Sequence, residues 1–143
     1  MKKRATAILS AMALIAILAT AASTSAQSGY GIRISVPFDF AVGDKTYSSG
    51  GYTVAVTSNL NLLELRSRDG RKTAFVTSTI PIRPAGDQYK AQLEFHRYGD
   101  RYFLYKVWLG AEGHQLPKSK LERDLIEDRS EGAGHAETVI VTG

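Results

Sequence analysis

LLELRSRDGRKTAFV, residues 62–76, is the stretch whose reading decides the fold class. Asp69-Gly70 between two apolar alternations is the strongest hairpin signal in the chain, because both central residues of a type I′ turn need positive φ. Counting outward sets Arg68 opposite Arg71, Leu65 opposite Ala74 and Leu63 opposite Val76. The last four share one face, while Glu64, Arg66 and Thr73 fall on the other. Turn chemistry and apolar pattern thus agree on one register, and a one-residue slip would turn the whole apolar set outward.

The same period of two extends in both directions. Upstream, Ile32, Ile34, Val36, Phe38 and Phe40 alternate with Arg33, Ser35, Pro37 and Asp39, which predicts a strand with one apolar face. Pro37 cannot donate to a ladder, so this strand belongs at an edge or bends there. Residues 47–52 form a turn, Tyr52, Val54 and Val56 resume the alternation, and Asn59 and Asn61 mark another change of direction. Downstream, the prolines of Ile80-Pro81-Ile82-Arg83-Pro84 exclude a central strand and predict a connector to another sheet or edge.

A second hairpin is predicted from about Tyr89 to Trp108 around Gly99-Asp100. Its register puts Ala91, Leu93 and Phe95 beside Leu104 and Trp108, with Glu94, His96 and Tyr98 beside Arg101, Phe103, Tyr105 and Val107 on the opposite face. Both faces carry large apolar or aromatic groups, so both need a cover. One cover is a helix near 119–130: Ser119 with Glu122 three residues on is a capping box, and Leu121, Leu125 and Ile126 make a narrow apolar stripe. The expected class is mainly β, an antiparallel sandwich or small barrel of about six to eight strands with one C-terminal helix.

The 143 residues suffice for one domain, with 18 Lys+Arg against 14 Asp+Glu and no cysteine. Residues 1–26, MKKRATAILSAMALIAILATAASTSA, have a cationic start, a short apolar run and small residues at Thr24 and Ala26, the pattern of a cleaved signal peptide. The expected organisation is therefore a leader over 1–26, a single β-rich domain over 27–130 and a C-terminal tail over 131–143. Lys2, Lys3 and Arg4 belong to the leader, so the rest of the chain is close to neutral and lacks the cationic excess that nucleic-acid binding needs. No later apolar run is long enough for a spanning helix. The absence of cysteine removes disulfides, thiolate metal sites and a thiol nucleophile.

Val36-Pro37-Phe38-Asp39-Phe40-x-Val42-Gly43, Gly51-Tyr52-Thr53-Val54, and the run Phe95-His96-Arg97-Tyr98-Gly99-Asp100-Arg101-Tyr102-Phe103-Leu104 carry a resemblance. Together with Trp108, Leu116-Pro117-Lys118-Ser119 and Glu122-Arg123, they resemble a set of small exported bacterial proteins of unassigned function, over about residues 36–125. The resemblance implies an exported β-rich domain in the periplasm or outside the cell, and brings no activity, cofactor or partner with it. Ser48-Ser49-Gly50 departs from the Leu-Pro-Ala-Gly more usual in that set.

The chemistry-bearing residues are few. Glu94, His96, Tyr98, Arg101 and Tyr105 are brought to one face of the second hairpin and form the candidate binding surface, with Arg97 expected beside them. Glu94 and His96 could serve a general base or a metal, but a closed zinc site wants three or four ligands, and His114 and His135 sit in glycine-containing loops that could fold over that strand without anything in the spacing requiring it. No Gly-x-Ser-x-Gly elbow, phosphate loop, dinucleotide fingerprint, zincin helix or calcium loop is present, so no cofactor is expected. The aromatics Tyr98, Tyr102, Phe103, Tyr105 and Trp108 could form a stacking platform, although period-two aromatics are what strands ordinarily bury. The final Glu137–Gly143 looks like the short box through which outer-membrane receptors add a strand to an energy-transducing partner; otherwise it is an edge strand of this domain or a frayed end. The expected role is a non-enzymatic exported domain that binds an envelope protein or small ligand. The alternatives are a carrier of a small apolar ligand, a hydrolase or metal site using Glu94 and His96, and an outer-membrane barrel, in whose plan the charged helix has no place.

Overall fold

Alternation of buried and exposed side chains along the strands builds two sheets around one apolar core. The computed structural model describes residues 31–57, 62–76, 79–86, 90–129 and 135–143. The expected leader and the turn expected at Asn59 and Asn61 lie outside these residues, as do Tyr89, the expected start of the second hairpin, and residues 130–134. The first strands are β1 (Gly31–Val36), β2 (Phe40–Val42), β3 (Lys45–Tyr47), β4 (Gly50–Thr57), β5 (Leu62–Ser67) and β6 (Thr73–Val76). Then come β7 (Ile80–Ile82), β8 (Gln92–Tyr98), β9 (Arg101–Trp108), β10 (Gly113–Gln115), helix α1 (Lys120–Arg129) and β11 (Glu137–Thr142).

The fold is mainly β with one helix near the C-terminus, as expected, and includes a sheet curled as a half-barrel. Eleven strands are present among the described residues, more than the alternation foretells. The excess comes from β2, β3, β7 and β10, each three residues long and too short to display a period. The smaller sheet runs β1-β4-β5-β6 and the larger β11-β8-β9-β10-β7, with β2 joined to β3 and β9.

β1 is an edge strand that stops before Pro37, so Phe40 belongs to the next strand and not to a continuous 32–40 run. The β5–β6 ladder pairs Leu63 with Val76 and Leu65 with Ala74, the register counted from the sequence. The turn itself differs. Gly70 N–H donates to Ser67 O at 2.9 Å, which makes Arg68 and Asp69 the central residues and leaves Gly70, at φ 71°, to close the loop. Arg68 and Arg71 thus lie in the turn and not in the ladder. Asp69 stabilises it by accepting from the Ser67 hydroxyl (2.5 Å) and the Arg71 N–H (3.0 Å), and these bonds hold its carboxyl below the usual range.

The core joins Ile34, Val36, Val54, Leu63 and Leu65 of the smaller sheet to Phe40, Leu93, Phe95, Leu104 and Val107 of the larger. Each such side chain removed from water contributes about 2 kcal/mol. Aromatic rings interlock in it: Phe40 meets Phe95 (5.4 Å) and Tyr52 (5.1 Å) edge to face, and at its margin the half-buried Phe38 stacks on Tyr102 (3.8 Å between centroids). Ile80-Pro81-Ile82 does carry the chain to the larger sheet, as its edge strand. β11 pairs along its length with β8, from Glu137↔Arg97 to Thr142↔Gln92, so these residues are a strand of the domain.

Candidate functional site

The outer face of β8 and β9, covered at one end by α1, holds the expected surface. Glu94, His96 and Tyr98 alternate onto it along β8, and Phe103 and Arg101 stand opposite His96 and Tyr98. Tyr105 joins them by a different route. The β8–β9 ladder is irregular between Glu94 and Phe95: Phe95 faces Leu104, yet Glu94 faces Lys106, so Tyr105 is an extra residue bulged out of register. Its ring lies flat against the imidazole of His96, 3.9 Å between centroids.

Beyond that bulge the alternation inverts. Val107, placed on the outer face by sequence, is fully buried in the core opposite Leu93, and Trp108, placed in the core, stands outside opposite Gln92. A single inserted residue moves every later side chain to the other face, which is why counting from Gly99-Asp100 fails after Leu104. There the indole N–H of Trp108 donates to Glu94 Oε1 at 2.6 Å. The same oxygen accepts from Gln92 Nε2 (3.4 Å), and Lys106 Nζ lies 3.4 Å from Glu94 Oε2. Trp108 fits because its neighbour is Gly113, where a Cβ would come within 2.5 Å of the indole ring and 2.8 Å of Ile82.

Sequence reasoning missed Glu122 as a member of this group. Ser119 caps α1 as expected, its hydroxyl accepting from Glu122 N–H at 3.1 Å, and Asp44 Oδ1 accepts from Leu121 N–H at 3.0 Å. The Glu122 carboxylate turns to the sheet instead. Its Oε1 accepts from His96 Nδ1 (2.8 Å) and from the Tyr98 hydroxyl (3.0 Å), and the side chains of His96 and Glu122 are only 12% and 6% exposed. The capping-box spacing was the visible signal, but it assigns that carboxylate to its own helix. Burial, then the neighbouring Glu122 charge and hydrogen bond, push the Tyr98 phenol up to about 12. Leu121, Leu125 and Ile126 seat the helix on Ala41, Tyr98 and Phe103.

Arg97 is not in the group. It lies over the ring of Tyr102 (5.6 Å) and reaches Gly99 O and Glu137, because odd-numbered positions of β8 face the other way. Arg101 is exposed and lines a neighbouring cleft of about 300 Å³ with Asp100, Phe103 and Leu121. His114 is elsewhere, opposite Val107 and Pro81 in β10, buried, with Nδ1 3.3 Å from Thr79 Oγ1 and Nε2 without a partner among the described residues. His135 is exposed just ahead of β11.

Chemically, the carboxylate of Glu122 orients His96 as carboxylates orient a catalytic imidazole, but such a pair acts on a nucleophile or a bound substrate within hydrogen-bond reach. Among the described residues His96 hydrogen-bonds to Glu122 alone, and no group of three His, Asp or Glu is placed to hold a metal ion. No described helix is long and apolar enough to cross a membrane. Comparison of the chain with known protein families, with curated proteins and with solved structures finds no match.

Proposed function

We propose that the chain is an exported bacterial β-domain, of the small exported set its sequence resembles, which acts by binding or as a component of the cell envelope and not by catalysis. The observation that carries this reading is the engagement of Glu122. One oxygen of a buried carboxylate takes both His96 and Tyr98, and Glu94 is likewise engaged by Trp108, Gln92 and Lys106. Polar groups satisfied by one another on a face covered by a helix rigidify that face. The leader-like composition of residues 1–26 supports export.

Periplasmic expression followed by native mass spectrometry tests the proposal, reporting leader removal, subunit number and any co-purified molecule in one measurement. The expected result is a chain shortened by the leader. His96→Ala is expected to lower the melting temperature without abolishing any turnover. A hydrolytic activity lost in His96→Ala at unchanged melting temperature would overturn the reading.

A further inference from the structure

At one end of the smaller sheet the β3–β4 turn and the β5–β6 turn line a cleft of about 560 Å³. Arg68, Arg71 and Lys72 line it, together with the hydroxyl residues Ser48 and Ser49. That volume lies within the range of small-molecule sites.

Three cations line the cleft with one carboxylate, that of Asp69, which already accepts from the Ser67 hydroxyl and Arg71 N–H, while at the edge a second, that of Asp39, is engaged by Ser49 N–H at 2.7 Å. Arg71 and Asp69 are both exposed, and their nearest approach is 3.9 Å. Among the described residues Lys72 Nζ meets Thr46 O, at 3.5 Å, and the Tyr47 ring. Arg68 makes no side-chain hydrogen bond or ion pair among the described residues. Its guanidinium lies instead over the backbone of Gly51, where a Cβ would stand 2.8 Å from Cζ and Nε. The glycine therefore provides the seat on which that planar fork rests.

We infer that this cleft binds a phosphoryl group, held by Arg68, Arg71 and Lys72 with the hydroxyls of Ser48 and Ser49 at its rim. A guanidinium fork matches two oxygens of an oxyanion, and the compact ammonium of Lys72 serves as a point charge beside it. A phosphate monoester carries nearly two negative charges and three acceptor oxygens, which suits three cations better than the single charge of one carboxylate. The inference rests on the reading of this chain as a binding domain and gives that reading a ligand class.

The test is calorimetric titration of the purified protein with glycerol phosphate at fixed low ionic strength, alongside sedimentation with phosphatidic acid vesicles, whose headgroup is likewise a phosphate monoester, in a phosphatidylcholine background. Saturable binding of glycerol phosphate identifies a soluble phosphoryl ligand; binding to the vesicles alone identifies a lipid headgroup. Either supports the inference. Arg68→Gln is expected to weaken binding about tenfold, as loss of a charge-assisted pair does, whereas Arg33→Gln, the same charge change on β1, shifts it less than about twofold. Gly51→Ala, which unseats the guanidinium and leaves every charge in place, is expected to weaken it about threefold or more, and Lys72→Gln similarly. Equal losses in Arg68→Gln and Arg33→Gln, equal affinity for malonate, or no saturable binding by either probe would overturn it. A different molecule found by native mass spectrometry after such a failure would leave the broader binding reading standing.

Discussion

The β5–β6 and β8–β9 hairpins share a plan, a glycine-containing turn between alternating strands, and differ in what covers their outer faces. On β5–β6 that face meets water: Glu64 and Arg66 pair with each other two residues apart along one strand, 2.5 Å between Oε1 and Nη2, and Phe75 is 61% exposed. On β8–β9 a helix lies over the face, and polar side chains at equivalent positions are drawn into a buried network with Glu122. The same residue types thus have different energetic weight. In water an ion pair is worth little, while beneath a helix each unmade hydrogen bond costs the full desolvation of its group.

Glu122→Ala is the sharpest way to break this contrast. It leaves His96 and Tyr98 without their acceptor, and a loss of about 3 kcal/mol is expected in urea unfolding at neutral pH. Glu64→Ala is expected to change stability by less than about 0.5 kcal/mol in the same assay. Equal effects would mean that the helix does not isolate the network from water. Gly113→Ala comes next. A Cβ there meets Trp108 and Ile82, so about 2 kcal/mol of overpacking is expected, whereas Gly31→Ala on β1 meets only ordinary contacts at 3.4–3.5 Å and should cost well under half as much.

Trp108→Phe keeps most of the ring and removes its N–H, leaving Glu94 with Gln92 and Lys106; about 1 kcal/mol of destabilisation is expected by thermal melting. The last contrast appears only at high pH. The Tyr98 phenol is raised to about 12 in the fold, against an ordinary value near 10. Its contribution is then complete below pH 10 and is lost as pH rises toward 12, because the unfolded chain releases the proton first. In Tyr98→Phe the stability curve across that window should be flatter than in the native chain. A phenolate absorbance titration of the native protein should show late-ionising tyrosines, since burial also raises the phenols of Tyr47 and Tyr52, and Tyr98→Phe should remove one of them.

How much of this was readable depended on distance from a turn. The β5–β6 register, the edge position of β1 before Pro37, and the Ser119 cap follow from local chemistry, and all three are found. Four of the candidate site residues, Glu94, His96, Tyr98 and Tyr105, do share the outer face, with Arg101 at its margin. The exchange of Trp108 and Val107 was not readable, because no residue near Tyr105 announces a bulge; Tyr105 stacks on His96 only once both strands and their cover are in place. Glu122 was hidden for the opposite reason: a local motif already accounted for it. Its partners lie 26 and 24 residues away, beyond any spacing rule.

The pairing of β11 with β8 also bears on the order in which the molecule can assemble. A chain made from its N-terminus first exposes both strands of the central hairpin long before residues 137–142 exist. Until those residues arrive, one side of β8 stays an open ladder, ready to accept any extended peptide nearby. Closure of that side of the larger sheet therefore waits until residues 137–142 have been made, and β11 works as a latch thrown after the hairpin it closes is in place.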